Sequence, residues 1–143
     1  SHILYLQLCS FTYSGITKQP KNQMLKNLLL VGLGGAAGSM LRFLFSTWLR
    51  HSSFPLATLL VNIIGSFLIG LVIATSLRNP SFDANWKLFL ATGICGGFTT
   101  FSAFSAENLQ LIQQGRMGLF ALYAMGSVLL GLGAAWMGFN MLK

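Results

Sequence analysis

Four long apolar segments, two of them without a charged residue, limit what this chain can fold into. Residues 54–77 and 117–142 contain no Asp, Glu, Lys or Arg, and two further apolar segments cover residues 25–49 and 86–113. A bilayer core of about 30 Å requires about 20 helical residues. Only 8% of the chain is charged, against about 25% in a soluble domain. The sequence therefore predicts an all-α membrane protein with four transmembrane helices.

Short connections and an unusual start define the extent of the membrane domain. Neighbouring helices joined by short loops run antiparallel, so both ends of a four-helix unit lie on one side. An apolar run at residues 3–8 is too short to span a bilayer, and basic residues follow it, whereas in a signal peptide they come first. We expect residues 1–23 to be a tag remnant, an upstream mis-start or a disordered extension. Residues 24–143 should form the membrane domain.

The distribution of positive charge bears on partners and on orientation. Lys and Arg outnumber Asp and Glu by nine to two, but they are spread singly along the chain, which argues against a nucleic-acid partner. Basic residues also set membrane orientation. Without the first 23 residues, four lie on the side of the termini and three on the other side. This near balance favours insertion in both orientations and pairing of two oppositely oriented copies.

Glycines cluster in the middle of the third apolar segment. Residues 93–104 read Gly-Ile-Cys-Gly-Gly-Phe-Thr-Thr-Phe-Ser-Ala-Phe, and glycine has the highest helix cost of any residue except proline. A helix in lipid can be interrupted only where protein or a water-filled cavity surrounds the break, and such breaks line ion sites in transporters. We therefore predict that the third helix is broken mid-membrane. The alternative is a glycine-rich helix that is flexible or packs closely against its neighbours.

Polar side chains on the first two segments also follow helical spacing. Thr58, Asn62 and Ser66 recur every four residues on the second segment. They form either a ladder of donors for an anion or interhelical hydrogen bonds that only hold the bundle together, and periodicity alone favours the second interpretation. Arg42 shares a face of the first segment with two glycines. It faces either a protein interior with water or the membrane interface.

Three motifs resemble the Fluc fluoride channels, also called the CrcB family. They are Gly-Gly-Ala-Ala-Gly-Ser-Met-Leu-Arg at 34–42, Thr-Leu-Leu-Val-Asn-Ile-Ile-Gly-Ser at 58–66, and Gly-Gly-Phe-Thr-Thr-Phe-Ser-Ala-Phe-Ser at 96–105, which is the most specific. The resemblance covers about residues 24–143. It implies a passive, fluoride-selective channel in the bacterial cytoplasmic membrane that exports fluoride and relieves its toxicity. It also implies an antiparallel, dual-topology homodimer with two pores and a central structural sodium ion.

The resemblance further assigns roles to individual residues. The backbone carbonyls of Gly96 and Thr99 from both subunits would hold the sodium ion. Eight side chains would lie along the fluoride pathway, namely Arg42, Thr58, Asn62, Phe101, Ser102, Phe104, Glu107 and Tyr123. Among these, Phe101 and Phe104 would present electropositive ring edges to the anion. Four residues depart from the family pattern. Ala103, Gly131 and Ala135 stand where members often carry a hydroxyl, and Ala57 stands where a glycine often precedes the threonine, so the exact pore route stays open.

Two other functions suit a bundle of four small helices. A proton-coupled cation exporter, like the small multidrug transporters, requires a carboxylate within the membrane, and Glu107 is the only acid close to an apolar segment. A non-transporting assembly subunit would use all its polar residues for packing. An enzyme is not predicted, since the sequence offers no nucleophile–base pair and no metal-ligand spacing.

Overall fold

The computed structural model describes residues 20–49, 54–79 and 81–142, and all regular secondary structure in this part of the chain is helical. The elements are, in chain order, α1 (Lys21–Trp48), α2 (Leu56–Arg78), α3 (Ala84–Lys87), a π-helical stretch (Leu88–Cys95), α4 (Gly96–Phe98), α5 (Phe101–Gln113) and α6 (Met117–Met141).

Four segments of the described chain are long and apolar enough to cross a membrane. They are α1, α2, the combined segment Ala84–Gln113 and α6. The prediction of an all-helical protein with four membrane spans is thereby confirmed, and this chain is a multi-pass membrane protein. Helix α1 begins at Lys21, within the segment expected to precede the membrane domain, whereas residues 1–19 of that segment lie outside the described residues.

Glycines allow α1 to approach the third span at backbone contact distance. Gly34 and Gly38 are buried on α1. A Cβ added at Gly34 would lie 2.9 Å from Gly93 Cα, and one at Gly38 would lie 2.8 Å from the backbone nitrogen of Phe98. Real Cβ atoms do not come so close to a backbone, so only glycine permits this packing. The glycine motif at 34–42 therefore fixes α1 against the π-helical stretch and α4.

Helices α2 and α6 pack along each other in the same way and supply the most buried side chains. A Cβ at Gly70 or Gly138 would collide with the backbone of the facing helix. Val61 of α2 is completely buried and Tyr123 of α6 is 1% exposed. This pair of helices forms the second wall against which the third span is placed.

Two residues between α4 and α5 leave the helical conformation. Thr99 has a ψ of 155°, and Thr100 has φ −149° and ψ 117°, so both are extended. The hydroxyl oxygen of Thr100 then accepts a hydrogen bond from the backbone N–H of Ala103 at 3.2 Å. A threonine in this N-cap position satisfies one of the amides that a helix start leaves without a partner. Helix α5 therefore begins anew at Phe101.

Candidate functional site

The extended residues between α4 and α5 are held by a side chain of α2. Asn62 Oδ1 accepts a hydrogen bond from the Thr100 backbone N–H at 2.8 Å, and Asn62 Nδ2 donates to the Thr100 carbonyl at 3.2 Å. Because Thr100 is only 7% exposed, its backbone groups need such partners once they leave the helical pattern. An amide group carries two donor hydrogens, so Asn62 keeps a second N–H beyond this pairing.

Two hydrogen bonds at this point redirect the backbone donors that would otherwise reach the carbonyls of Gly96 and Thr99, the two predicted sodium ligands. In a continuous α-helix, the N–H of Thr100 would bond to the Gly96 carbonyl and that of Ala103 to the Thr99 carbonyl. Here Thr100 donates to Asn62 and Ala103 donates to the Thr100 hydroxyl. Gly96 is exposed at the protomer surface. Carbonyl oxygens released in this way suit a hard cation, so these residues fit the predicted ion.

The two phenylalanines form one wall of a cavity of about 380 Å³, called here the aromatic cavity. Its lining consists of Asn62, Gly65, Ser66, Ile69, Cys95, Thr99, Thr100, Phe101, Phe104, Ser127, Val128 and Gly131. The ring centroids of Phe101 and Phe104 lie 5.8 Å apart. Phe101 is 80% exposed, whereas Phe104 packs on Tyr123 with a centroid distance of 5.3 Å. The pair therefore has one supported ring and one that protrudes from the protomer.

A second cavity, of about 500 Å³, contains the predicted pathway residue Arg42 and is called here the arginine cavity. It is lined by Ser39, Arg42, Phe43, Ser46, Thr58, Val61, Thr100, Ser102 and Ala103. The hydroxyl oxygens of Ser102 and Thr100 lie 3.2 Å apart, within hydrogen-bonding distance. Thr100 lines both this cavity and the aromatic cavity. The two cavities therefore adjoin at the extended residues.

The carboxylate of Glu107, on α5, connects this helix to α2 and α6. Its Oε1 accepts a hydrogen bond from Thr58 Oγ1 and its Oε2 accepts one from the Tyr123 hydroxyl, both at 2.7 Å. The Tyr123 ring also makes a T-shaped contact with the Phe54 ring, with a centroid distance of 5.5 Å. Glu107 and Thr58 also line a third cavity of about 460 Å³, called here the glutamate cavity. Both carboxylate oxygens are thus engaged by neutral hydroxyl donors.

The structure places all eight predicted pathway residues in one connected region. Asn62, Phe101 and Phe104 line the aromatic cavity, and Arg42, Thr58 and Ser102 line the arginine cavity. Glu107 lines the glutamate cavity and accepts a hydrogen bond from Tyr123. Of the two predicted sodium ligands, Thr99 lines the aromatic cavity, and Gly96 is the first residue of α4, three positions earlier in the chain. The roles of these residues in ion binding remain predictions.

Sequence reasoning missed Thr100, which caps α5, pairs with Asn62 and lies between two cavities. A threonine directly before an apolar helical segment is a recognisable N-cap signal. Thr100 is therefore the residue through which the helix interruption and the cavities are connected.

Comparisons with known proteins identify the family of this chain. The family model described as CrcB-like protein, Camphor Resistance (CrcB), matches residues 29–139. Relatives named fluoride-specific ion channel FluC, from Azobacteroides pseudotrichonymphae, Leptospira interrogans and Thermus thermophilus, are 46%, 49% and 49% identical to this chain. The matched regions cover 81%, 82% and 79% of this chain and 95%, 95% and 91% of the relatives. These matches confirm the resemblance predicted from the three motifs, and the chain belongs to the CrcB family.

Proposed function

We propose that this chain is a passive, fluoride-selective ion channel that exports fluoride across the cytoplasmic membrane and so relieves fluoride toxicity. Its relatives carry the name of a fluoride-specific ion channel, and the family is one of channels and not of enzymes. One observation within the chain carries the proposal. Asn62, Phe101 and Phe104 line a single cavity that adjoins a second one containing Arg42.

The chemistry of this lining suits a small, strongly hydrated anion. Fluoride needs hydrogen-bond donors in place of its water, and the second N–H of Asn62 and the hydroxyl of Ser102 are neutral donors. Phe ring edges add weak positive potential. Conduction requires binding that is weak enough for the ion to leave. Arg42 lies in the larger arginine cavity, which Asn62 and the two phenylalanines do not line, so its charge would attract the anion without trapping it beside them.

The assembly that we propose is an antiparallel, dual-topology homodimer with two pores. Two features of the protomer surface support it, namely the 80% exposure of Phe101 and the exposed backbone at Gly96. The extended residues Thr99 and Thr100 lie within the span Ala84–Gln113. A break of this kind requires surrounding protein or a water-filled cavity, and a second copy would cover the backbone that the protomer leaves exposed at Gly96. Carbonyls of Gly96 and Thr99 from both copies would hold the sodium ion, whose chemical contribution is to offset the repulsion between converging oxygens.

A proton-coupled carrier is the main competing function, because Glu107 is a carboxylate within the third span. A carrier would need this group to exchange a proton for its substrate. Both carboxylate oxygens instead accept hydrogen bonds from Thr58 and Tyr123. A carboxylate held by two hydroxyls fits a structural or ion-guiding role better than an exchanging one.

Fluoride efflux from liposomes containing the purified protein tests the proposal. The wild type should give fast, passive efflux, and Phe101→Ile and Asn62→Asp should abolish it or nearly so. Phe120→Ile is the matched control, since Phe120 lines none of the three cavities. Slow efflux that follows an imposed proton gradient would favour the carrier, and no efflux from the wild type would contradict the proposal.

A further inference from the structure

The aromatic cavity continues past Asn62 along α2. Its lining from this helix consists of Asn62, Gly65, Ser66 and Ile69, whose spacings of three and four residues place them on one helical face. Ser66 lies one turn beyond Asn62, about 6 Å further along the helix axis. Gly65 and Ile69 have no polar side-chain atom, so the Ser66 hydroxyl is the next donor on this face.

The Ser66 hydroxyl has no competing partner within the described part of the chain. Hydroxyl side chains in helices commonly donate to the carbonyl four residues earlier, and Thr75 on the same helix does so, to Leu71 at 2.9 Å. Ser66 makes no such bond. Since a hydroxyl hydrogen rotates to meet an acceptor, this group can donate to an anion in the cavity.

Gly131 of α6 lies opposite Ser66 and leaves it open. A Cβ at Gly131 would lie 3.5 Å from Ser66 Oγ, which is ordinary contact, with no other described atom outside its own helix backbone within 4 Å. A hydroxyl-bearing side chain there would come within hydrogen-bond distance of Ser66 and occupy it. Helix packing requires glycine at Gly70 and Gly138, where a Cβ would collide with backbone, but it does not require glycine at position 131.

We infer that Ser66 is a further fluoride-coordinating residue, and that glycine at position 131 keeps its hydroxyl free for the ion. The inference rests on the proposed channel function and adds one donor to its pathway. An anion that leaves Asn62 would meet the Ser66 hydroxyl after about one helical turn, or about 6 Å. Between Asn62 and Ile69, the Ser66 hydroxyl is the one polar side-chain group that α2 contributes to this lining, so the anion would keep a hydrogen-bond donor there.

Ser66→Ala tests this inference by fluoride efflux from liposomes at matched protein density. Loss of one hydrogen bond to an anion should lower the efflux rate about tenfold or more. Ser76→Ala is the matched control, because Ser76 lies on the same helix and lines none of the three cavities. The control should retain the wild-type rate.

A rescue experiment separates ion contact from packing or folding defects. Introducing Gly131→Ser into the Ser66→Ala variant places a hydroxyl close to the position that the Ser66 hydroxyl occupied, since a Cβ at position 131 lies 3.5 Å from Ser66 Oγ, and should restore efflux severalfold. Gly131→Ala adds only a methyl group there and should restore nothing. Equal effects of these two changes would overturn the role of Ser66, as would a wild-type rate in Ser66→Ala while Phe101→Ile remains inactive. No efflux from the wild type would instead overturn the channel function on which the inference rests.

Discussion

The pairing of Asn62 with Thr100 is the contact on which the geometry of the site depends, and Asn62→Ala tests it by stability alone. The substitution removes the acceptor for the Thr100 N–H and a donor to the Thr100 carbonyl. Leaving one buried polar group without a partner costs about 1–3 kcal/mol. Two such groups on one 7% exposed residue give a range of about 2–6 kcal/mol.

The expected loss lies in the lower part of this range. Thr100 lines both the aromatic and the arginine cavities, so water can replace part of what the side chain supplied. We therefore expect Asn62→Ala to lower the free energy of unfolding by about 2–3 kcal/mol. Asn140→Ala is the matched control, since Asn140 Nδ2 donates one hydrogen bond of 2.9 Å to the Trp136 carbonyl and this bond is exposed. It should cost less than about 0.5 kcal/mol.

Reversible unfolding by SDS in mixed micelles, monitored by circular dichroism, measures the loss of stability of both variants on one scale. A much larger shift of the midpoint for Asn62→Ala than for Asn140→Ala is the expected result. Similar shifts for both variants would refute the reasoning, because the extended backbone at Thr100 would then be stable without the pairing.

The remaining predictions concern packing, the carboxylate and the assembly. Gly38→Ala should destabilise the fold by about 1–3 kcal/mol, as overpacking does, whereas Gly32→Ala, with open space around it, should be neutral or stabilising in the same unfolding assay. Tyr123→Phe removes one of the two donors to Glu107 and should slow fluoride efflux while leaving the circular dichroism spectrum unchanged; an unaltered rate would show that this contact does not serve conduction. Engineered single cysteines should cross-link two copies only in antiparallel registers, and a parallel cross-link would contradict the proposed dimer. Replacing sodium with a large organic cation should reduce the dimeric fraction in detergent, and an unchanged fraction would argue against the proposed ion at Gly96.

The four spans could be predicted because they depend on a local property of the chain. An uncharged run such as residues 54–77 has few alternatives to a transmembrane helix, and the observed helix Leu56–Arg78 differs from it only at the ends. The close approach of α1 could also be expected from its glycines. The segment that α1 approaches could not be predicted, because it depends on how separate segments pack. In the structure, a Cβ added at Gly34 would lie 2.9 Å from Gly93 Cα.

The interruption in the third span shows a finer limit of sequence reasoning. The glycines of the motif drew the prediction, yet Gly93 is in the π-helical stretch and Gly96 and Gly97 are in α4. The extended residues are Thr99 and Thr100. These positions need a capping hydroxyl and a partner for freed backbone groups. Gly93 and Gly97 instead serve close packing against α1, whereas Gly96 is exposed.

The carboxylate network could not be read from spacing. Thr58 and Glu107 are 49 positions apart and Tyr123 is 16 beyond Glu107, so no helical period relates all three. The resemblance placed each of them along a pathway, but the shared hydrogen bonds to one carboxylate emerge only when α2, α5 and α6 are packed together. Long-range polar contacts of this kind depend on the tertiary structure.

The central claim is that uncharged donors and two ring edges pass fluoride and little else. The most direct measurement follows fluoride and chloride simultaneously, with two ion-selective electrodes, as they leave liposomes loaded with both salts while an ionophore clamps the membrane potential. The account predicts rapid loss of fluoride alone, down its own gradient and without any proton gradient. Equal loss of chloride, or retention of both anions, would contradict it.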